Sequence, residues 1–455
     1  MDKTKELGEE RIGKLLLKFS IPAIIGMIVN ALYNIVDRIF IGQIPGGVGE
    51  LALSGVTVTF PISIIIMAFG MLIGVGSASL ISIRLGEQKK QEAEKILGNS
   101  FVLVIIILVG LAIIIFPFLD SLLIAFGASE KILPYAKEYI QIIIAGGVIQ
   151  NIGFGLNAAI RSEGNPKIAM LTMLLGAVVN TVLDPIFIFV FDMGVAGAAI
   201  ATVIAQLAST VWVLYHFTKG NSTLKLKKEN FKLDIKIIKS IFAIGMAPFF
   251  MQLAASLVQI LSNKALLVHG GEFAIGAMGV ISSVAMMCLM PVFGINQGSQ
   301  PIIGYNYGAK NYGRVKKAWK LAVIAAVLVT TTGFLVVELA APNIIKIFNS
   351  NPDLVRIGTH GIRIYLSVLP VIGFQVISSN YFQAVGKAKI SMFLSLCRQV
   401  IVLIPLVVIL PPIFGLDGVW ISGPASDAIA SIITLYFVMK ELKFLKEQEM
   451  DARVA

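Results

Sequence analysis

The sequence predicts an all-α polytopic membrane protein, with twelve transmembrane helices in two six-helix bundles related by a pseudo-twofold axis along the membrane normal. Three observations carry this. The 455 residues are 57% hydrophobic and 14% charged, with a mean hydropathy of +0.87, a combination foreign to soluble domains of this length. Apolar runs long enough to span a bilayer, roughly 20 residues each, recur twelve times. The polar stretches between them repeat at a fixed interval.

The predicted spans are 15–42, 51–82, 95–118, 132–160, 168–191, 195–217, 237–268, 274–304, 316–340, 356–383, 391–413 and 419–440. Met1 to Glu10 is charged and lacks an apolar stretch followed by small residues at a cleavage site, so the first span is expected to stay in the protein. An even number of spans puts both termini on one side. That side collects Lys3, Lys5, Arg11, Lys14 and Lys18, the loops after spans two, four and eight, the stretches Lys219 to Lys239 and Lys387 to Arg398, and Lys440 to Arg453. These hold 30 of the 37 basic residues, so both termini are expected in the cytoplasm. The net charge of +11 follows from this bias, and no soluble basic domain exists that would bind nucleic acid. The two cysteines, Cys288 and Cys397, fall in predicted spans, where cysteine acts as a small apolar residue.

The repeat is legible residue by residue. "GVGSASLISIRLGEQKKQEAEK" (74–95) and "NQGSQPIIGYNYGAKNYGRVKK" (296–317) align Gly76 with Gly298, Gly86 with Gly308 and Lys95 with Lys317, and "RSEGNPKIAM" aligns Gly164 with Gly386 of "QAVGKAKISM", always at the same offset. The expected organisation is an N-lobe at 1–217, a polar, lysine-rich linker at 218–236, a C-lobe at 237–440 and a tail at 441–455. Duplicated bundles with equal orientation are the plan of transporters whose halves rock about a site at mid-membrane.

Ionisable residues inside spans mark such sites. Asn180 and Asp184, in "NTVLDPIFIFVF", are one helical turn apart on one face, and Pro185 removes the hydrogen bond to the carbonyl of residue 181. Asp37 lies in the first span, downstream of Pro22, and Thr202 lies in the sixth, which opens with small residues. Two carboxylates, an amide and a hydroxyl are hard oxygen ligands suited to a proton or a small cation such as sodium. At the matching places the second half has Asn263, Pro405 and Gly423, so coupling is expected in the N-lobe.

With these motifs in place, the chain resembles the MATE (multidrug and toxic compound extrusion) family over nearly its whole length. The resemblance rests on "LLLKFSIPAIIGMIVNALYNIVDRIFIG", "RLGEQKKQEAEK", "RSEGNPK" and "NTVLDPIFIF". It implies a cation or proton site formed by Asp37, Asn180, Asp184 and Thr202, with Pro22 as the bending proline; Pro185 is expected as a second hinge because of the hydrogen bond it removes. It also implies export of amphipathic, often cationic compounds against protons or sodium, with no enzymatic activity and no cofactor beyond the coupling ion. NorM-like members carry acids in the C-lobe, where this chain has Gln252, Gln259, Gln375 and Asn380, so it looks more like the bacterial MepA or DinF-like members.

Tyr33, Met67, Phe154, Asn157, Met173, Met251, Gln259, Met286 and Met287 lie on spans expected to line the substrate cavity, methionine being adaptable to varied shapes. The competing reading is a lipid-linked oligosaccharide flippase of the same architecture. It would need a strongly basic cavity, and the spans offer only Arg38, Lys264, Arg363 and Arg398. No nucleophile–base pair or metal-ligand cluster appears in them. The expected setting is a bacterial or archaeal cytoplasmic membrane, with the protein a monomer among lipids.

Overall fold

The computed structural model describes residues 3–45, 47–348 and 351–454, and every regular element among them is helical. Ala455, the end of the expected tail, lies outside them. Helices satisfy their own backbone groups, which the hydrocarbon interior demands. Ten are long and apolar enough to cross a membrane: Ile12–Gly42, Phe60–Gly86, Lys90–Ala125, Leu133–Ser162, Pro166–Val190, Gly194–Thr218, Ile235–Gly271, Phe273–Gly308, Tyr312–Phe348 and Ala388–Phe414. The pair Pro352–Tyr365 and Leu369–Ala384, bent by 48°, supplies an eleventh if it is one span. The twelfth predicted span, 419–440, falls in the continuous helix Leu416–Val454, which runs on into a charged end. They are numbered here as spans 1 to 12.

The structure departs locally from the expected spans. The run predicted as 51–82 is two helices, Val48–Val58 and Phe60–Gly86, with Pro61 opening the second. Spans 7 and 8 meet at Gly271, whose φ of 67° only glycine adopts freely. Span 5 is α-helical to Pro185 and then widens into a π-turn, Ile186–Val190, in which the Phe191 N–H reaches the Ile186 carbonyl at 2.9 Å. Span 11 carries a second π-turn, Cys397–Leu403.

The duplication is built into the turns. Gln88 and Lys310, at equal positions of the two halves, are both left-handed at φ 61° and 58°, as are Gly164 and Gly386 at 96° and 75°. Each glycine closes its helix with the same pair of backbone bonds: Gly164 to Arg161 and Asn165 to Ile160, and Gly386 to Gln383 and Lys387 to Phe382.

The described chain forms two compact units, but their borders differ from the expected lobes: unit 1 is Met1–Leu7 with Ile25–Phe249, and unit 2 is Gly8–Ile24 with Phe250–Ala455. Close packing at glycine is the reason. In unit 1, a Cβ at Gly76 of span 2 would strike the Ile241 carbonyl, and one at Gly245 of span 7 the Leu72 backbone. In unit 2, Gly298 of span 8 abuts Ser20 and Gly294 abuts Ile24. The first part of each half's opening span is thereby seated on the other half's second span. Leu16 accordingly packs with Val292, Ile295, Ala322 and Ala326.

The linker is also part of unit 1. Asn99 donates to the carbonyls of Asn230 and Lys232 and accepts from the Asp234 N–H at 2.7 Å. Buried Glu94 accepts from the Lys225 N–H at 3.1 Å and pairs with Lys227 at 2.8 Å, a hydrogen bond that holds the Lys227 ammonium above the ordinary lysine range.

Candidate functional site

Asn180 and Asp184 share one face of span 5, as their spacing requires, and both are buried. The Asn180 amide Nδ2 donates to Asp184 Oδ1 at 3.0 Å and to Thr202 Oγ1 of span 6 at 3.4 Å. Span 6 can approach because Gly197 packs on the Phe187 backbone of span 5. Asp37, on the part of span 1 that belongs to unit 1, is 8% exposed and interacts directly with the Asp184 side chain. The four residues therefore form one cluster. Its use of donors is uneven: with the amide hydrogens spent on Asp184 and Thr202, Asp37 Oδ1, Asn180 Oδ1 and Asp184 Oδ2 are buried without a hydrogen-bond partner among the described residues. Three such acceptors in one place are an arrangement that a proton or an oxygen-seeking cation would complete. No group of three or more His, Cys, Asp or Glu that could hold a metal ion occurs among the described residues.

Tyr33 of span 1 and Tyr139 of span 4 lie within electrostatic reach of both carboxylates. Tyr139 was not singled out by the sequence, where it sits in an ordinary run, "AKEYIQIII". Pro22 lies inside the Ile12–Gly42 helix near the crossover from unit 2 to unit 1, and Pro185 at the onset of the π-turn.

The residues expected to line a cavity are placed unevenly. In unit 1, Met67 and Phe154 are exposed and Tyr33 and Met173 half-buried, Met173 lying against Gly26. Asn157 is buried in the scaffold: its amide donates to the Ala169 carbonyl at 2.8 Å and its oxygen accepts from Arg161. In unit 2, Met251 is half-buried, Met286 and Met287 are exposed, and exposed Gln259 donates to Asn263 at 3.0 Å. Gln375 is buried and donates to Ser379 at 3.3 Å.

The second half is not without a carboxylate at depth. Asp427 of span 12 is buried and pairs with Arg398 of span 11 at 2.5 Å. Arg398, counted in the sequence both with the cytoplasmic-side cations and with the few basic residues inside spans, sits inside the Ala388–Phe414 span.

The MatE family profile matches residues 22–186 and 248–409, one stretch in each half. The multidrug export protein MepA of Staphylococcus haemolyticus (strain JCSC1435) is 27% identical over 430 residues, 94% of each chain. Among solved structures, the MATE multidrug transporter DinF-BH is 40% identical and superposes with a TM-score of 0.89 over 95% of this chain and 96% of that one. MATE in the bent conformation, 27% identical, gives a TM-score of 0.92 over 98% and 99%. Matched in both halves and over most of its length, the chain belongs to the MatE family and is a multi-pass membrane transporter rather than an enzyme.

Proposed function

We propose that this transporter exports amphipathic, often cationic organic compounds in exchange for protons or sodium. The lobes would alternate access to the two sides of a prokaryotic cytoplasmic membrane, with both termini in the cytoplasm and the protein working as a monomer without a resident cofactor. The observation that supports this reading is the set of three unpartnered buried oxygens on Asp37, Asn180 and Asp184. Two carboxylates in a poorly solvated space repel each other, and one bound proton or cation relieves both the repulsion and the desolvation. All the available donors are oxygens, Thr202 included, which fits sodium as well as a proton.

Binding of the ion lets spans 1 and 5 approach, bending at Pro22 and at Pro185 with its π-turn. That closure reshapes the drug site and releases the drug, so ion and drug weaken each other's binding by the same factor. The multidrug export and transport for which MepA and DinF-BH are named agree with this substrate class.

A flippase for an anionic pyrophosphate lipid is disfavoured because each cation inside the spans is separately engaged or exposed. Arg38 stacks over Phe60 at 5.5 Å, Arg363 pairs with Glu338 at 3.6 Å, Arg398 is held by Asp427, and Lys264 is exposed.

The test is efflux of a fluorescent organic cation from proteoliposomes under imposed proton or sodium gradients. Transport driven by either gradient, and lost when it is collapsed, is expected. Movement indifferent to both gradients would overturn the coupling.

A further inference from the structure

Arg398 and Asp427 bring opposite charges to mid-membrane. Arg398 is the eleventh residue of Ala388–Phe414 and Asp427 the twelfth of Leu416–Val454, each about 15–17 Å along its helix at 1.5 Å per residue. That is close to half of a hydrocarbon core of about 30 Å. The two spans enter from opposite faces, so the charges meet at the same depth. Both belong to unit 2, and both interact electrostatically with Tyr365 at the end of Pro352–Tyr365. Helix packing brings them together: a Cβ at Gly423, one turn before Asp427, would meet the Tyr365 ring, and Ser426 Oγ donates to the Arg398 carbonyl at 2.8 Å inside the π-turn.

The pair is incompletely used. Arg398 Nε donates to Asp427 Oδ1 at 2.5 Å, but its two terminal nitrogens have no acceptor among the described residues, and its side chain is 27% exposed against 8% for Asp427. A guanidinium offers two fork edges to carboxylates. Here the edge formed by Nη1 and Nη2 remains available.

We propose that the Arg398–Asp427 pair is a substrate-recognition site for zwitterionic organic compounds, taking the substrate's carboxylate on the open guanidinium fork and its cationic group beside Asp427. Charge balance selects this class. A simple cation drawn to Asp427 would strand the guanidinium, and a simple anion on Arg398 would leave one charge in excess, either of which is costly at this depth. A zwitterion leaves the site neutral with every charge opposed. The assignment rests on the drug-export reading but concerns the half of the chain that the coupling site does not occupy.

The test uses a cationic rhodamine ester and its free acid, a zwitterion with the same chromophore, with binding to the purified full-length protein measured by fluorescence anisotropy. Wild type should bind the acid with a Kd within about tenfold of the ester's. The double variant Arg398→Gln with Asp427→Asn should weaken the acid by at least about tenfold, the loss of one charged anchor, and change the ester by less than about threefold. Replacement by Arg398→Met with Asp427→Leu makes the same comparison with apolar side chains. An unchanged affinity for the acid in a folded double variant, or equal weakening of both dyes, would overturn the assignment. Wild type binding only the ester would overturn it alone, whereas binding neither dye would remove the drug-export reading with it.

Discussion

His216 Nε2 lies 2.5 Å from Glu163 Oε1, with both side chains buried. Glu163 also accepts from Asn165 at 2.7 Å, from Ser222 Oγ at 2.5 Å and from the Leu224 N–H at 3.2 Å. One carboxylate therefore fastens the loop after span 4, the end of span 6 and the start of the linker. Glu163→Ala strands several buried donors, each worth about 1–3 kcal/mol when left unmade. The variant should melt well below wild type and become open to trypsin at Lys225, Lys227 and Lys228, whereas Glu163→Gln should retain part of the protection. A proteolysis time course on purified protein checks this, and an unchanged pattern in Glu163→Ala would show that the linker is held elsewhere.

Asp37→Asn and Asp184→Asn should each abolish gradient-driven efflux while leaving the protein folded. The amides keep the shape of the cluster but remove the charge, and neutralising a buried charge does not destabilise. Proteoliposome transport with size-exclusion profiles of the same preparations decides it. Wild-type rates in both variants would remove the cluster from the coupling step.

Raising the coupling ion should lower drug affinity in wild type, and Asp184→Asn should bind drug with little dependence on pH or sodium. The reciprocity of linked binding fixes the sign. Equilibrium drug titrations across pH and sodium provide the measurement. An ion-independent affinity in wild type would leave the transporter but not this mechanism.

Gln259→Ala and Met286→Ala should change which compounds are exported more than they change the dependence on the gradient, since both side chains are exposed and belong to unit 2, whereas the carboxylate cluster belongs to unit 1. Transport of a drug panel at two gradient strengths separates the effects. An altered ion stoichiometry would count against the division of labour.

Gly298→Ala and Gly76→Ala should each destabilise the fold by about 1–3 kcal/mol, the usual penalty for overpacking. At Gly298 the added methyl would lie 2.7 Å from the Ser20 nitrogen, and at Gly76 it would press on the Ile241 carbonyl. Both should lower the melting temperature. A change at Gly110, whose Cβ position is open, is the control and should leave it unaltered.

What the sequence revealed follows the range of each interaction. Asn180 and Asp184 were legible because their relation is local, four residues on one helix, and because polar groups are conspicuous in an apolar run. The repeat was legible for the same reason, since turn residues such as Gly164 and Gly386 answer to local backbone geometry. The Arg398–Asp427 pair was not, because its members are on different helices and nothing local ties the cation of 391–413 to the acid of 419–440. The break near 366–368 had only Pro370, one residue into the next helix, to announce it. The seating of Ser20 on Gly298 was invisible, because nothing in the first span marks a partner so far along the chain.

That seating has a consequence for biosynthesis. The segment Gly8–Ile24 is synthesised well before the glycines that receive it, Gly294 and Gly298, which lie in the second half of the sequence. Until then the surface that receives it does not exist, and lipid or the insertion machinery must cover the segment. Residues up to Phe249 are likewise needed before unit 1 is whole. Neither six-helix half can mature as an independent folding unit, and span 1 reaches its final seat only once span 8 has been made.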